Sequence, residues 1–139
     1  MPFEDGIVRG GRSNRAVLIV EDSENIAATL EIAVMGIPDL SVLLAPSGIE
    51  ALRILEGTGT AVDAIITDLN MPRMDGFEMI RRIRGDTRFA ATPIIVVSAD
   101  TDPSTPERVA RLGVDAFFPK PYSPAQVRRK LEQVLNGTS

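Results

Sequence analysis

Five short runs of β-branched and aliphatic residues recur along this chain, Ala16–Val20, Val42–Ala45, Ala64–Thr67, Ile94–Val97 and Ala116–Phe118, each followed by an amphipathic segment. The runs contain almost nothing polar, so strands made from them offer no face to water and must be covered on both sides. A parallel sheet between helical layers meets that requirement, because each parallel connection needs a long crossover, usually a helix. The intervening segments carry the helical period: Ile26, Leu30 and Ala33; Ile49, Leu52 and Leu55; Phe77, Ile80 and Ile83; Val109 and Leu112; Val127, Leu131, Val134 and Leu135. Ser23, Ser47 and Ser123 stand where N-caps belong, and Gly36, Gly57, Gly85 and Gly113 follow the ends of the helical patterns. Right-handed crossovers turn five such units into a doubly wound α/β sandwich of three layers, a (βα)5 fold. Folds of this kind hold ligands outside the carboxyl ends of their strands.

The 139 residues suit one core, since a chain of this size buries roughly 68% of the surface it exposes when unfolded. Residues 1–14 (MPFEDGIVRGGRSN) have no sustained period and read as a flexible leader, leaving 15–139 as a single domain with no room for an output domain. No cysteine or histidine is present. Disulfides, thiolate or imidazole metal sites and histidine-assisted nucleophiles are therefore excluded, and so is a role as histidine phosphodonor. A net charge of -4 argues against direct nucleic-acid binding. The apolar runs are far shorter than the roughly 18 residues of a membrane span, and a soluble cytoplasmic protein is expected.

The expected strand ends are where polar residues gather. Glu21-Asp22 follows the first strand, Asp68 the third, Ser98 the fourth and Lys120-Pro121 the fifth. Three clustered carboxylates either take up protons or hold a cation, and oxygen-only donors select Mg²⁺ or a similar hard ion. Lysine is scarce here, with Lys120 and Lys130 alone against thirteen arginines. A lysine placed directly after Ala116-Phe117-Phe118 reads as a chemical group, whereas Lys130 reads as solvated.

In their order, Glu21-Asp22, Asp68-Leu69-Asn70-Met71-Pro72-Arg73-Met74-Asp75-Gly76, Ser98-Ala99 and Lys120-Pro121 resemble the receiver domain of two-component response regulators, over roughly residues 15–136. The resemblance implies a flavodoxin-like sandwich with strand order 2-1-3-4-5. It implies Asp68 as phosphoacceptor, charged by a histidine kinase, a histidine phosphotransfer protein or a small acyl phosphate. It further implies Mg²⁺ held by Asp22, Asp68, the Asn70 main-chain carbonyl and Glu21, with Lys120 and Ser98 on phosphoryl oxygens and the Asn70 and Ala99 N–H groups completing the cradle. Ser98 and Phe117 would form the switch, Pro121 a cis-proline, and Asn70 and Asp100 would tune hydrolysis. Pro119 departs from the family's usual aliphatic residue. The output would be the surface of the fourth helix, fifth strand and fifth helix, read by a downstream protein, with the chain a monomer or a phosphorylation-dependent dimer.

Other readings fit less of the pattern. A receiver excised from a hybrid kinase or a larger regulator shares every motif. A haloacid-dehalogenase-like phosphatase expects a second Asp two residues after its nucleophile, where Asn70 stands; a flavodoxin-like FMN carrier expects a Ser/Thr/Gly-rich phosphate loop where Glu21-Asp22 would repel phosphate. A phosphorylation-independent adaptor would not need the full set of acids, Ser and Lys. The basic stripe Arg108, Arg111, Arg128, Arg129 and Lys130, and the cluster Arg81, Arg82, Arg84 and Arg88, read as solvated helix faces or as docking sites for acidic partners.

Overall fold

The computed structural model describes residues 14–57 and 61–137. The leader expected over 1–14 lies outside the described residues except for Asn14, whose side-chain oxygen accepts a hydrogen bond from Ser41 Oγ at 3.1 Å. Five β/α units follow: β1 (Arg15–Val20), α1 (Glu24–Val34), β2 (Leu40–Ala45), α2 (Gly48–Gly57), β3 (Ala64–Thr67), α3 (Gly76–Arg84), β4 (Ile94–Ser98), α4 (Thr105–Arg111), β5 (Ala116–Pro119) and α5 (Pro124–Leu135). The strands are all parallel in the order β2-β1-β3-β4-β5, as expected.

Alternation along the strands divides the core in two. Val17, Ile19, Ile66, Ile95 and Val97 pack with Leu30 and Val34 of α1 and Val127 and Leu131 of α5. On the opposite face Leu18, Val20, Ile65, Ile94 and Val96 pack with Ala51 and Leu55 of α2, Ile80 and Ile83 of α3 and Val109 of α4. Both faces of the three inner strands β1, β3 and β4 are dry, which is why these strands show no polar alternation, while the edge strands β2 and β5 are partly exposed.

Local signals were legible, with small shifts. Ser23, Ser47 and Ser123 each accept the N–H three residues on, at 3.3, 3.1 and 3.3 Å. Asp75, not anticipated, caps α3 through Glu78 N–H at 2.9 Å. The buried face of α1 is Ala27, Leu30 and Val34, with Ile26 and Ala33 only half-buried at its flanks. Ile49, expected in the core, is 38% exposed; it lies in the first turn of α2, whose sheet-facing side is set by Ala51 and Leu55. β2 begins two residues earlier than the apolar run, because Leu40 pairs with Arg15 across the ladder.

The arginine cluster does not act as one surface. Arg81 and Arg82 pair with Glu78 and Arg88 with Asp86. Arg84 turns inward and donates to the carbonyls of Leu112 and Gly113 after α4 and of Phe89, Ala90 and Thr92 before β4. Burial works against its charge, and nearby Asp115 works for it. One guanidinium thus ties two loops to the end of α3. Since hydrogen bonds to a charged donor are worth about 1.5–3 kcal/mol each when buried and several of these carbonyls are partly wet, Arg84→Met is expected to cost about 2–3 kcal/mol. The check is a lower urea midpoint at unchanged slope; an unmoved midpoint would mean that water replaces the arginine at no cost.

Candidate functional site

The ladder runs past the strand ends, and this places the polar residues. Glu21 N–H donates to Ala45 O at 3.0 Å, Asp68 N–H to Val20 O at 3.1 Å, and Lys120 N–H to Ser98 O at 2.7 Å. These bonds bring the strand ends to one edge of the sheet, where the side chains of Glu21, Asp68 and Lys120 meet although they lie far apart in the chain. Glu21 and Asp68 are buried, Asp22 is exposed, and one oxygen from each lies within 4.8 Å of the others. Lys120 Nζ stands 3.3 Å from Glu21 Oε1 and 3.5 Å from Asp68 Oδ2. The Lys120–Pro121 peptide is cis.

The loop after β3 is fixed by its own sequence. Leu69 is fully buried and Met71 nearly so, Arg73 takes a left-handed φ of 69°, and Gly76 N–H returns to Leu69 O at 2.8 Å. A Cβ on Gly76 would stand 2.5 Å from Asp68 O and 2.7 Å from Leu69 Cα. Close approach of the α3 N-terminus to the Asp68–Leu69 backbone thus requires glycine. The Asp68 carboxylate is oriented by Leu69 N–H, 2.7 Å from Oδ1, which leaves Oδ2 on the side of Lys120.

Charges of one sign at this spacing repel by roughly 3–4 kcal/mol per pair at an effective dielectric near 20. Lys120 offsets only one of the three carboxylates, so two net negative charges remain. The Glu21 carboxyl responds: burial raises its pKa most, the Asp68 charge raises it further, and Ser23 N–H and Lys120 act in the opposite direction. The potential ligand atoms that meet here are carboxylate oxygens of Glu21, Asp22 and Asp68, a donor set that fits a hard divalent cation.

The remaining expected residues ring the acids. Ser98 is fully buried and its Oγ accepts Asp100 N–H at 3.0 Å. Asn70, which follows buried Leu69, and Ala99, which follows buried Ser98, are exposed. Asp100 accepts Asp102 N–H at 2.8 Å. Phe117 lies half-buried on β5 beside Val96, against the core cluster that includes Val109 of α4. On the expected output surface Arg108 stacks on the Phe77 ring, 3.9 Å from its centroid, and Arg111 pairs with Glu107. Arg128 and Arg129 are exposed, and Lys130 is half-buried.

Tyr122 went unremarked in the sequence. It lines a hollow of about 230 Å³ with Ile26, Thr29, Lys120, Pro121 and Pro124, and its phenol is pushed up by burial and by the charges of Glu21 and Asp68. Its position directly after Lys120-Pro121 was the available signal.

Residues 17–132 match the family model described as the response regulator receiver domain. Chemotaxis protein CheY1 of Helicobacter pylori is 31% identical over 123 residues, 88% of this chain and 98% of that protein. The two-component response regulator ORR5 of Oryza sativa is 31% identical over 130 residues, 94% of each chain. Among solved structures, the chemotaxis response regulator CheY4 of Vibrio cholerae superposes with a TM-score of 0.76 at 29% identity, covering 87% of this chain and 98% of that one. A response regulator receiver protein from Pseudomonas putida gives 0.79 at 31%, covering 86% and 97%. The haloacid-dehalogenase-like alternative finds no support in these matches.

Proposed function

The chain belongs to the response regulator receiver family, and from that premise we propose that Asp68 is the phosphoacceptor of a Mg²⁺-dependent switch. The observation that carries this reading is the meeting of Glu21, Asp22 and Asp68 within 4.8 Å with Lys120 Nζ 3.5 Å from Asp68 Oδ2. Leu69 N–H holds Oδ1, and Oδ2 attacks phosphorus; the bond from phosphorus to the donor's nitrogen or acyl oxygen breaks, and its electron pair leaves with the donor. This chain has no histidine, so the donor imidazole belongs to a histidine kinase or a histidine phosphotransfer protein. Phosphoryl transfer is mostly positioning and charge neutralisation. Lys120 supplies one positive charge to the phosphoryl oxygens. Ser98 Oγ accepts from Asp100 N–H, so its own proton is free to be donated to another oxygen. The N–H groups of Asn70 and Ala99 complete the cradle.

Glu21, Asp22, Asp68 and the Asn70 carbonyl would hold Mg²⁺, which when bound neutralises the charge brought in by the phosphoryl group. Binding of the Ser98 hydroxyl to the phosphoryl group and inward packing of Phe117 would shift α4, and with it the surface of α4, β5 and α5 that a downstream protein reads. Asn70 and Asp100 flank the site and would set the rate of hydrolysis. The chain thus assists only its own phosphorylation and dephosphorylation, as a cytoplasmic monomer or a dimer formed on phosphorylation, without touching nucleic acid. No helix among the described residues is long and apolar enough to cross a membrane.

The test is incubation with a small acyl phosphate, with and without Mg²⁺, followed by intact-mass measurement. One phosphoryl adduct that requires Mg²⁺ is expected; its absence with several acyl phosphates and with phosphorylated histidine donors would overturn the reading. Lys120→Met gives a second check with opposite signs. Removing the ammonium makes the acid cluster more negative, so Mg²⁺ is expected to bind several-fold more tightly by titration while phosphoryl uptake slows at least tenfold. Weaker Mg²⁺ binding would show that Lys120 supports the site structurally instead.

A further inference from the structure

β2 is an edge strand, and α1 covers it incompletely. Where the helix passes Leu44 it presents Ala27 and Ala28, too small to reach across, and a groove of about 290 Å³ remains between α1 and the end of β2 at Ala45-Pro46. Leu44 is left 46% exposed, and Met35 and Ile32 on the same side of α1 are 70% and 69% exposed. These three are most of the large apolar side chains found exposed among the described residues; Leu44 lines the groove, while Met35 and Ile32 lie further along α1, outside its lining, and apolar surface left open in this way marks an interaction site.

The groove also has a charge pattern. Glu24, Ala28, Glu31 and Met35 follow one another at intervals of four, three and four residues, so acid and apolar groups alternate down one flank of α1. Asp22 continues the line at the top. Among the described residues no ion pair engages Asp22, Glu24 or Glu31, and no cation lines the groove. We propose that this groove docks an amphipathic helix of another protein, one that sets apolar side chains on Ala28, Met35 and Leu44 and places Lys or Arg seven residues apart against Glu24 and Glu31. Such a helix would lie along α1 and cover the outer side of β2, the mode in which an apolar helical face fills a groove. A second copy of the chain is a poorer occupant. Arg108 is stacked on Phe77, Arg111 is paired with Glu107, and Arg128, Arg129 and Lys130 are consecutive, so no described helix carries free cations at that spacing.

The probe is a 14-residue Leu/Lys peptide with a leucine face and a lysine face, added to the ¹⁵N-labelled chain in Mg²⁺-free buffer. Two control peptides replace its lysines by glutamate or its leucines by serine. Amide shifts confined to residues around Ala28, Glu31, Met35 and Leu44 are expected, with both controls at least tenfold weaker. Leu44→Ser and Glu31→Lys alter partly exposed positions, and each is expected to weaken binding at least fivefold at unchanged far-UV circular dichroism. Ala28→Arg, which fills the groove, should do the same if either of the others unfolds. No binding, shifts centred on α4, α5 or the Asp68 crevice, or an affinity indifferent to Leu44→Ser would overturn the proposal. So would self-association of the chain alone that Leu44→Ser abolishes, since the occupant would then be a second copy.

Discussion

Asp68→Asn is expected to acquire no phosphoryl group from an acyl phosphate under conditions that convert the wild-type chain to a single adduct. The amide keeps the size of the side chain and can still accept Leu69 N–H, which stands 2.7 Å from Oδ1, so the fold should be retained. Lost instead are the nucleophilic oxygen pair and one of the three negative charges that meet within 4.8 Å. An amide is a far poorer nucleophile than a carboxylate, and the expected loss is complete within detection by intact mass. Mg²⁺ affinity should fall as well, by an order of magnitude or more, because one anionic oxygen donor of the set is gone. Thermal stability is expected to rise slightly or stay level, since removing a buried like charge relieves repulsion on Glu21, a carboxyl whose pKa the Asp68 charge helps to raise. A variant that still gains a phosphoryl group would place the acceptor elsewhere and dismiss the assignment.

Gly76→Ala is the substitution expected to harm fold and site together. Alanine is intrinsically better than glycine in a helix by about 1 kcal/mol, so propensity alone would make the change stabilising. Sterics decide the sign. The added methyl would stand 2.5 Å from Asp68 O and 2.7 Å from Leu69 Cα, and both are backbone atoms just past β3, where Asp68 N–H is held by Val20 O at 3.1 Å. Overpacking of this kind costs about 1–3 kcal/mol and sometimes more, and relief requires moving the peptide that carries the nucleophile. A net loss of about 2 kcal/mol is expected, roughly 6 °C in Tm for a domain of this size, with phosphoryl uptake slowed at least tenfold. Gly85→Ala is the matching control: its Cβ would meet Arg81 O at 3.4 Å and its φ is -81°, so it should fold and take up phosphoryl normally. Equal behaviour of the two variants would show that the close approach at Gly76 is not required.

The fold was legible because its determinants are local and periodic. Runs such as Ala16-Val17-Leu18-Ile19-Val20 state their two-sided burial in composition alone, and the serine caps lie at fixed offsets from the helices they start. Where reading by pattern slipped, a neighbour decided. Ile49 shares a helical spacing with Leu52 and Leu55, yet the buried side of α2 is Gly48, Ala51 and Leu55, which leaves Ile49 exposed. Arg84 is indistinguishable in sequence from Arg81 and Arg82; only the return of the loops before β4 and after α4 gives it five carbonyls to bind. The exposure of Leu44 was hidden as well, since it sits in an apolar strand run and is left uncovered only because β2 is an edge strand and Ala27 and Ala28 of α1 are small.

For the site the division is similar. The sequence by itself determined which groups are available: carboxylates at two strand ends, a hydroxyl at a third, a lysine at a fourth, and no histidine to act as donor. Side-chain chemistry and the rule that strand ends share one edge of a parallel sheet suffice for that. Only the tertiary structure decided that Lys120 reaches both Glu21 and Asp68, that Leu69 N–H fixes one oxygen of Asp68 and leaves the other facing the ammonium, and that Gly76 must lack a side chain. These are distances of a few ångströms between residues dozens of positions apart, set by strand order and register, and no local pattern encodes them.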